Sequence, residues 1–301
     1  MRLFYYVGRL AQDLGLVMPK SFSRVADMRK AVGLPPFQSA ELERTGILEH
    51  RADASSTDEH YFRVCENSDC VGLEGVGERL ASHVPPMLAG SCQLFEKSTC
   101  EWNAVETKCL GLGDPYCGFK VVRREIADLK PSLEKEGSAA AKIHDRFVDR
   151  LMGYPLEGKP LVSRPRLGPL VHLHVVMHGM GYLNLAGERY RRAQIMGAAR
   201  TGKMIGTRLL AAGLSEDDAV SRLFGFLDHC KVGRIDRGKT IRMRESCESL
   251  RTTIFRHRQE PSCFFTTGFL NGFFWAVKNR HVREVRCLAA GDPYCEWEMM
   301  G

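Results

Sequence analysis

One segment of this chain occurs twice, as ETKCLGLGDPYC at 106–117 and as EVRCLAAGDPYC at 284–295, with eight of twelve positions identical. Self-similarity of this kind means that one supersecondary unit is used twice, so the chain reads as two related halves rather than one continuous fold. Both copies run on into alternating residues that include an aromatic, Phe119 in the first and Trp297 in the second, as a strand leaving a tight turn does. Weaker echoes lie upstream. Gly8-Arg9 followed by Gly15 has the spacing of Ala199-Arg200 followed by Gly206, each on an amphipathic helix with small residues at a packing face. The segment His60 to Glu66 corresponds to Lys239 to Glu245, both strand-like. The order read from these echoes is helix, strand, helix, hairpin.

Between the halves, residues 124–165 are rich first in Lys, Glu and Ala and then in Pro and Gly, as in a helical linker with an irregular end. The expected organisation is therefore a domain at 1–123, the linker at 124–165 and a domain at 166–301. A chain of 301 residues has the length for two such cores. In the second half, Ser215 followed by Glu216, Asp217 and Asp218 marks a helix start, with a capping hydroxyl and acids in the first turn.

Within each copy the shared skeleton is Glu-x2-Cys-x7-Cys, enclosing Gly-Asp-Pro-Tyr. Asp-Pro after Gly favours a tight turn, which folds the two cysteines toward each other. Two thiolates and a carboxylate are three ligands of a kind that zinc accepts, and a tetrahedral site needs a fourth from upstream. In the second copy the candidate set is Cys263, Glu284, Cys287 and Cys295; in the first it is His83, Glu106, Cys109 and Cys117. The bland alternative is that these cysteines are buried small hydrophobes flanking an ordinary hairpin turn. Cys65, Cys70, Cys92 and Cys100 admit an iron–sulfur reading but lack a recognised ligand spacing.

At this motif the chain resembles the 4-vinyl reductase domain family, whose members end in Glu-x2-Cys and Gly-Asp-Pro-x-Cys after a Cys-x4-Gly-x3-Gly helix. The second copy matches at Cys263, Gly268, Gly272, Glu284, Cys287, Gly291, Asp292 and Cys295. The resemblance implies an α/β fold of the α+β type, with an antiparallel sheet packed on helices and a metal-tied C-terminal hairpin in each of two mixed domains. It also implies zinc on the equivalents of Cys263, Glu284, Cys287 and Cys295, beside a pocket for a hydrophobic small molecule. The first copy departs from the pattern: His83 stands at the Cys position, Leu88 and Cys92 replace the helix glycines, and Pro85-Pro86 follow the His. Zinc closed by four protein ligands has no open position for an activated water, which argues for a structural ion.

The helix from Cys263 places Phe265, Phe269 and Phe273 along one side, with Trp275 nearby and Gly268 and Gly272 on another. Aromatic rings beside glycine gaps can line a cavity for a flat apolar ligand, and a well-packed core helix has the same pattern. Thr266, Thr267 and Asn271 interrupt this apolar stretch, which is too short to span a bilayer. His172, His174 and His178 read as the polar face of a strand, and Arg200 and Lys203 as solvated charge. The C-terminal portion carries the basic excess, 29 Lys+Arg against 20 Asp+Glu over 124–301, compared with 14 against 16 over 1–123. Such an excess attracts anions of several kinds, but the run Arg234, Arg237, Lys239, Arg242 and Arg244 carries no DNA-reading element.

Nucleotide-binding glycine loops and the nucleophile elbow are missing from the sequence. The expectation is a cytoplasmic, zinc-containing protein that senses or carries a hydrophobic aromatic or tetrapyrrole-like ligand and presents a surface to a protein partner, with homodimerisation as a candidate assembly. Two alternatives stay open: an enzyme or enzyme subunit acting on a vinyl tetrapyrrole, and a scaffold without a ligand.

Overall fold

A computed structural model of the chain describes residues 46–80, 84–85, 88–89, 92, 102–124, 133–169, 188–238, 240–249 and 260–301. His83, Cys100, His172, His174, His178, Lys239 and the Gly8-Arg9 segment lie outside the described residues. The chain divides into two compact units. One comprises Met1–Leu151 with Leu161–Val171, the other Met152–Pro160 with His172–Gly301.

In the first unit, β1 (Ile47–His50), β2 (Glu59–Cys65), β3 (Asn103–Lys108) and β4 (Cys117–Val122) form an antiparallel sheet in the order β1-β2-β4-β3. In β4 nearly every residue is buried, so this strand reads as a continuous apolar run rather than an alternating one. Its Phe119 and Val121 pack with Trp102 and with Val84, Leu88 and Ala89 in one core cluster that also takes in Cys70, Cys109 and Cys117. The helix α1 (Leu133–Glu157) follows. It ends where Gly158 takes up φ 70°, donating its amide to Tyr154 while Lys159 N–H reaches back to Gly153, the usual wrap at a left-handed helix end.

The second unit contains α2 (Glu188–Ala211), α3 (Glu216–His229), β5 (Arg234–Arg237), β6 (Ile241–Arg244), α4 (Phe264–Lys278), β7 (His281–Arg286) and β8 (Cys295–Met300). Its antiparallel sheet has the order β5-β6-β8-β7, the same pattern as the first sheet. As expected, Ser215 caps α3, its hydroxyl oxygen accepting the Asp218 amide at 3.2 Å. Trp297 and Phe273 are fully buried here, along with Leu270, Met243, Ile205, Leu209 and Leu223. Withdrawing each large side chain from water contributes roughly 2–3 kcal/mol.

The glycines of α4 do not open a gap. A Cβ built on Gly272 would lie 1.9 Å from the Ala199 carbonyl oxygen, and one on Gly268 would lie 2.5 Å from that of Ile195. On α2, Gly202 and Gly206 approach the Phe269 and Phe273 carbonyls in return. The two helices thus touch backbone to backbone along a small-residue seam, and the space beside the α4 glycines is filled by α2.

Two further points correct the reading from sequence. Each sheet has a first strand, β1 or β5, that the repeat comparison did not show. The basic run is part of the β5–β6 hairpin, where Arg244 pairs with Asp236 at 3.0 Å and Arg242 with Glu296 at 2.7 Å. No helix among the described residues is long and apolar enough to cross a membrane.

Candidate metal centre

The spacing Glu-x2-Cys acquires a physical reason in the sheet. Side chains alternate along a regular strand, so residues three apart face opposite ways. Pairing between β7 and β8 shifts register between Glu284 and Arg286, and pairing between β3 and β4 shifts between Glu106 and Lys108. One extra residue in a bulge restores a common face, so Glu284 can meet Cys287, and Glu106 can meet Cys109.

The x7 interval is equally determined. Each cysteine is followed by a short 3₁₀ turn, Leu288–Ala290 or Leu110–Leu112, closed by a glycine in the left-handed region at φ 102° (Gly291) or 92° (Gly113). The next residue locks the turn: Asp292 Oδ2 accepts the Cys287 amide and Asp114 Oδ2 the Cys109 amide, both at 2.8 Å. The chain then re-enters a strand at Cys295 or Cys117, and both are fully buried.

In the second unit the fourth donor arrives from Cys263, immediately before α4. The Sγ atoms of Cys263, Cys287 and Cys295 and a carboxylate oxygen of Glu284 all lie within 4.8 Å of one another. Cys263 and Cys295 sulfurs are 3.4 Å apart. Four ligands at the zinc–sulfur distance of about 2.3 Å from a tetrahedral centre would be about 3.8 Å apart, so this cluster is near the size a zinc ion needs. Backbone amides of Ser262 and Leu288 donate to Cys287 and Cys295 Sγ at 3.3 and 3.4 Å, as thiolates require. Glu284 Oε1 is buried without a hydrogen-bond partner. A buried carboxylate oxygen left so is costly unless something electropositive meets it, and a metal ion would do so.

The electrostatics point the same way. Hydrogen bonds from Cys263 and Cys295 hold the Cys287 thiol far below its ordinary range. Burial and then the negative Cys287 push Glu284 up to about 9, and burial drives Cys263 well above the usual thiol value. One negative charge suppresses the next, and a divalent cation is what lets several ionise together.

Two neighbours of this cluster escaped sequence reasoning. Glu248, fully buried, accepts the Phe265 and Thr266 amides at 2.7 and 2.9 Å and so caps α4 from outside the helix. Burial pushes its carboxyl up to about 7 against these hydrogen bonds. Ser249 Oγ lies 2.8 Å from Cys263 Sγ and 2.9 Å from Cys295 Sγ. Neither residue belongs to the repeated segment, so no sequence signal marked them.

In the first unit the structure brings Cys109 and Cys117 together with Cys70, not with a described residue from the 83 region. Glu106 lies beside them, 5% exposed, with Oε1 buried and unpartnered like that of Glu284.

The aromatic residues of α4 are distributed unequally. Phe269 and Phe273 are buried, Phe265 is half-buried and stacked on Phe269 at 6.3 Å, and Trp275 is 44% exposed, lying flat on His281 at 4.8 Å. The polar interruptions of the helix are all used. Thr266 bonds Glu248, Thr267 accepts the Trp297 indole at 2.8 Å, and Asn271 exchanges hydrogen bonds with both backbone groups of Val282.

Residues 252–299 match the family model of the 4-vinyl reductase (4VR) domain. The matched segment holds all four ligand candidates of the second unit and the whole of α4. Among solved structures, the phenol-responsive sensory domain of the transcription activator PoxR, determined with phenol, is 18% identical; the match covers 43% of this chain and 74% of that one, with a TM-score of 0.34. A vinyl-4-reductase family protein from Methanocaldococcus jannaschii is 16% identical over 36% of this chain and 66% of its own, with a TM-score of 0.27. At these scores neither likeness bears on ligand or mechanism. No curated protein matches the chain. The family match ends one residue short of Met300, so β8 and its Cys295 fall inside it.

Proposed function

We propose that the second unit is a zinc-stabilised 4-vinyl reductase domain that binds a flat, hydrophobic small molecule, aromatic or tetrapyrrole-like, and that the chain acts as a sensor or carrier of that ligand. The observation that carries this reading is the convergence of Cys263, Glu284, Cys287 and Cys295, with an unpartnered carboxylate oxygen, inside the segment that matches the family model. Zinc held there would tie the start of α4 to the β7–β8 hairpin. Four protein donors complete a tetrahedral shell, so its chemistry would be that of a structural clamp.

The ligand would meet the Phe265 end of α4, where an aromatic ring is still partly accessible, while Phe269 and Phe273 support it from the core. Because Cys263 adjoins Phe265, occupancy at this end would be felt at the clamp and at the surface offered to a protein partner. The organisation proposed is a divergent domain of the same kind at 1–123, a linker at 124–165 and the 4-vinyl reductase domain at 166–301; the shared strand order, bulge and turn support it.

The test is native mass spectrometry of untagged protein paired with thermal denaturation in the presence of phenol and of a soluble porphyrin. Bound zinc that is lost in Cys287→Ser, with a saturable stabilisation by one probe that Phe265→Ala weakens at least tenfold, is the expected result. Zinc content unchanged in Cys287→Ser would end the metal assignment, and no response to either probe would end the sensor reading.

A further inference from the structure

The loops that follow β2 and β6 have the same shape but carry different chemistry. Glu66 and Glu245 both take up positive φ, 53° and 56°. Four residues on, Cys70 and Ser249 both close a turn, Cys70 N–H donating to Asn67 O at 3.0 Å and Ser249 N–H to Ser246 O at 3.3 Å. In the second unit that position presents a hydroxyl to thiols that come from elsewhere. In the first it presents a thiol itself.

The Cys70 sulfur lies 3.5 Å from that of Cys117 and 3.9 Å from that of Cys109, and the three sulfurs lie within 4.8 Å of one another. These separations bracket the edge of a tetrahedral zinc site, about 3.8 Å, and exceed the disulfide bond length of about 2.05 Å. All three cysteines are fully buried. The Leu80 amide donates to Cys109 Sγ at 3.4 Å and the Asn67 side-chain amide to Cys117 Sγ at 3.6 Å, as N–H groups do around metal-bound thiolates. The buried Glu106 carboxylate completes the surroundings, with Oε1 lacking a partner. Apolar packing of three small thiols explains none of these polar contacts, and it leaves the Glu106 oxygen unaccounted for.

We propose that the first unit holds its own metal ion, of the thiolate-preferring class that includes zinc, through the thiolates of Cys70, Cys109 and Cys117 and the carboxylate of Glu106, with Cys70 replacing the ligand that the helix start supplies in the other unit. The upstream ligand has moved from a helix start to a strand-end loop, which is why the Cys263 pattern does not lead to it in the sequence. Binding releases the thiol protons and needs no oxidant.

The experiment uses the full chain, reduced, stripped of metal and reloaded with Zn²⁺ alone, with ions per chain read by native mass spectrometry. The wild type is expected to hold two ions, and Cys70→Ser, Cys109→Ser and Glu106→Ala one each, while His83→Ala keeps two. Serine at the equivalent position 249 of the second unit shows that Cys70→Ser suits the local backbone, and circular dichroism checks the fold. Peptide mapping reads the wild type without substitution: Cys70, Cys109 and Cys117 should alkylate only after chelation. The proposal is overturned if Cys70→Ser keeps two ions, if the wild type holds a single ion that Cys287→Ser removes, or if His83→Ala loses one. A chain mass two hydrogens short, restored by reductant, would make the cluster a disulfide and overturn it as well. An ion lost in Cys70→Ser but none lost in Cys287→Ser would sink the second-unit assignment and leave this one standing.

Discussion

Thr266 gives both its backbone amide and its hydroxyl to one oxygen of Glu248, at 2.9 and 2.7 Å, and Phe265 gives its amide to the other. A single buried carboxylate therefore satisfies donors at the first turn of α4 that no residue of the helix itself could reach. Glu248→Ala leaves two amides and a hydroxyl buried without an acceptor, with an expected loss of about 3 kcal/mol. Glu248→Gln keeps one oxygen and should lose about half as much. Chemical denaturation of the three proteins measures this, and equal stability of wild type and Glu248→Ala would contradict the capping role.

The seam between α2 and α4 makes a paired prediction. Gly272→Ala drives a methyl group into the Ala199 carbonyl and should destabilise the chain by roughly 3 kcal/mol or more, because backbone on both sides must move. Gly197, also on α2, has nothing within 4 Å of an added Cβ, so Gly197→Ala should stabilise by about 0.5–1 kcal/mol through helix propensity. Melting curves that move the same way for both variants would refute the seam.

The turn aspartates are the third case. Asp292→Ala frees the Cys287 amide and should cost about 1–2 kcal/mol, and Asp114→Ala should do the same at Cys109. Asparagine at either position keeps an acceptor oxygen and should restore most of the loss. Amide exchange at Cys287 and Cys109 is the direct readout. Protection that persists in the alanine variants would show that the carboxylates do not hold the turns.

Acid should act through Glu66. Burial alone would raise its carboxyl, but the Arg166 guanidinium and the Leu167 and Arg166 amides outweigh burial and hold it below the ordinary value. A folded value below the unfolded one means stability that is present above about pH 4.3 and is lost as pH falls through the folded value. The stability gap between wild type and Glu66→Gln should be constant from about pH 7 to about pH 5 and close below that. A gap that persists in strong acid would assign the effect to packing.

The architecture could be read from the chain because the repeated segment contains its own geometry: glycine before Asp-Pro sets the left-handed turn, and Glu-x2-Cys is a bulged strand. The four donors of the second unit followed from that, since Cys263 opens a helix that the sequence already outlined. Cys70 and Glu248 were not legible. Both sit in loops with no periodicity, and their roles depend on which elements the fold brings over them. The glycines of α4 were legible as a packing feature but not as to what fills them, because a gap for a ligand and a seam for a helix leave the same small residues. Phe269 and Phe273 share that ambiguity, whereas Trp275 is exposed for a reason the sequence contains: its neighbour His281 offers a flat ring just past the helix end.

The backbone contact between Gly272 and Ala199 also has a mechanical meaning. Interfaces built from long side chains absorb small displacements by rotamer changes, but carbonyl against Cα has no such slack. A shift of α4 toward α2 meets a wall within a fraction of an ångström. Rolling or sliding of α4 must therefore carry α2 with it, and the pair behaves as one stiff lever whose short end is the Cys263 corner and whose long end is the remainder of α2.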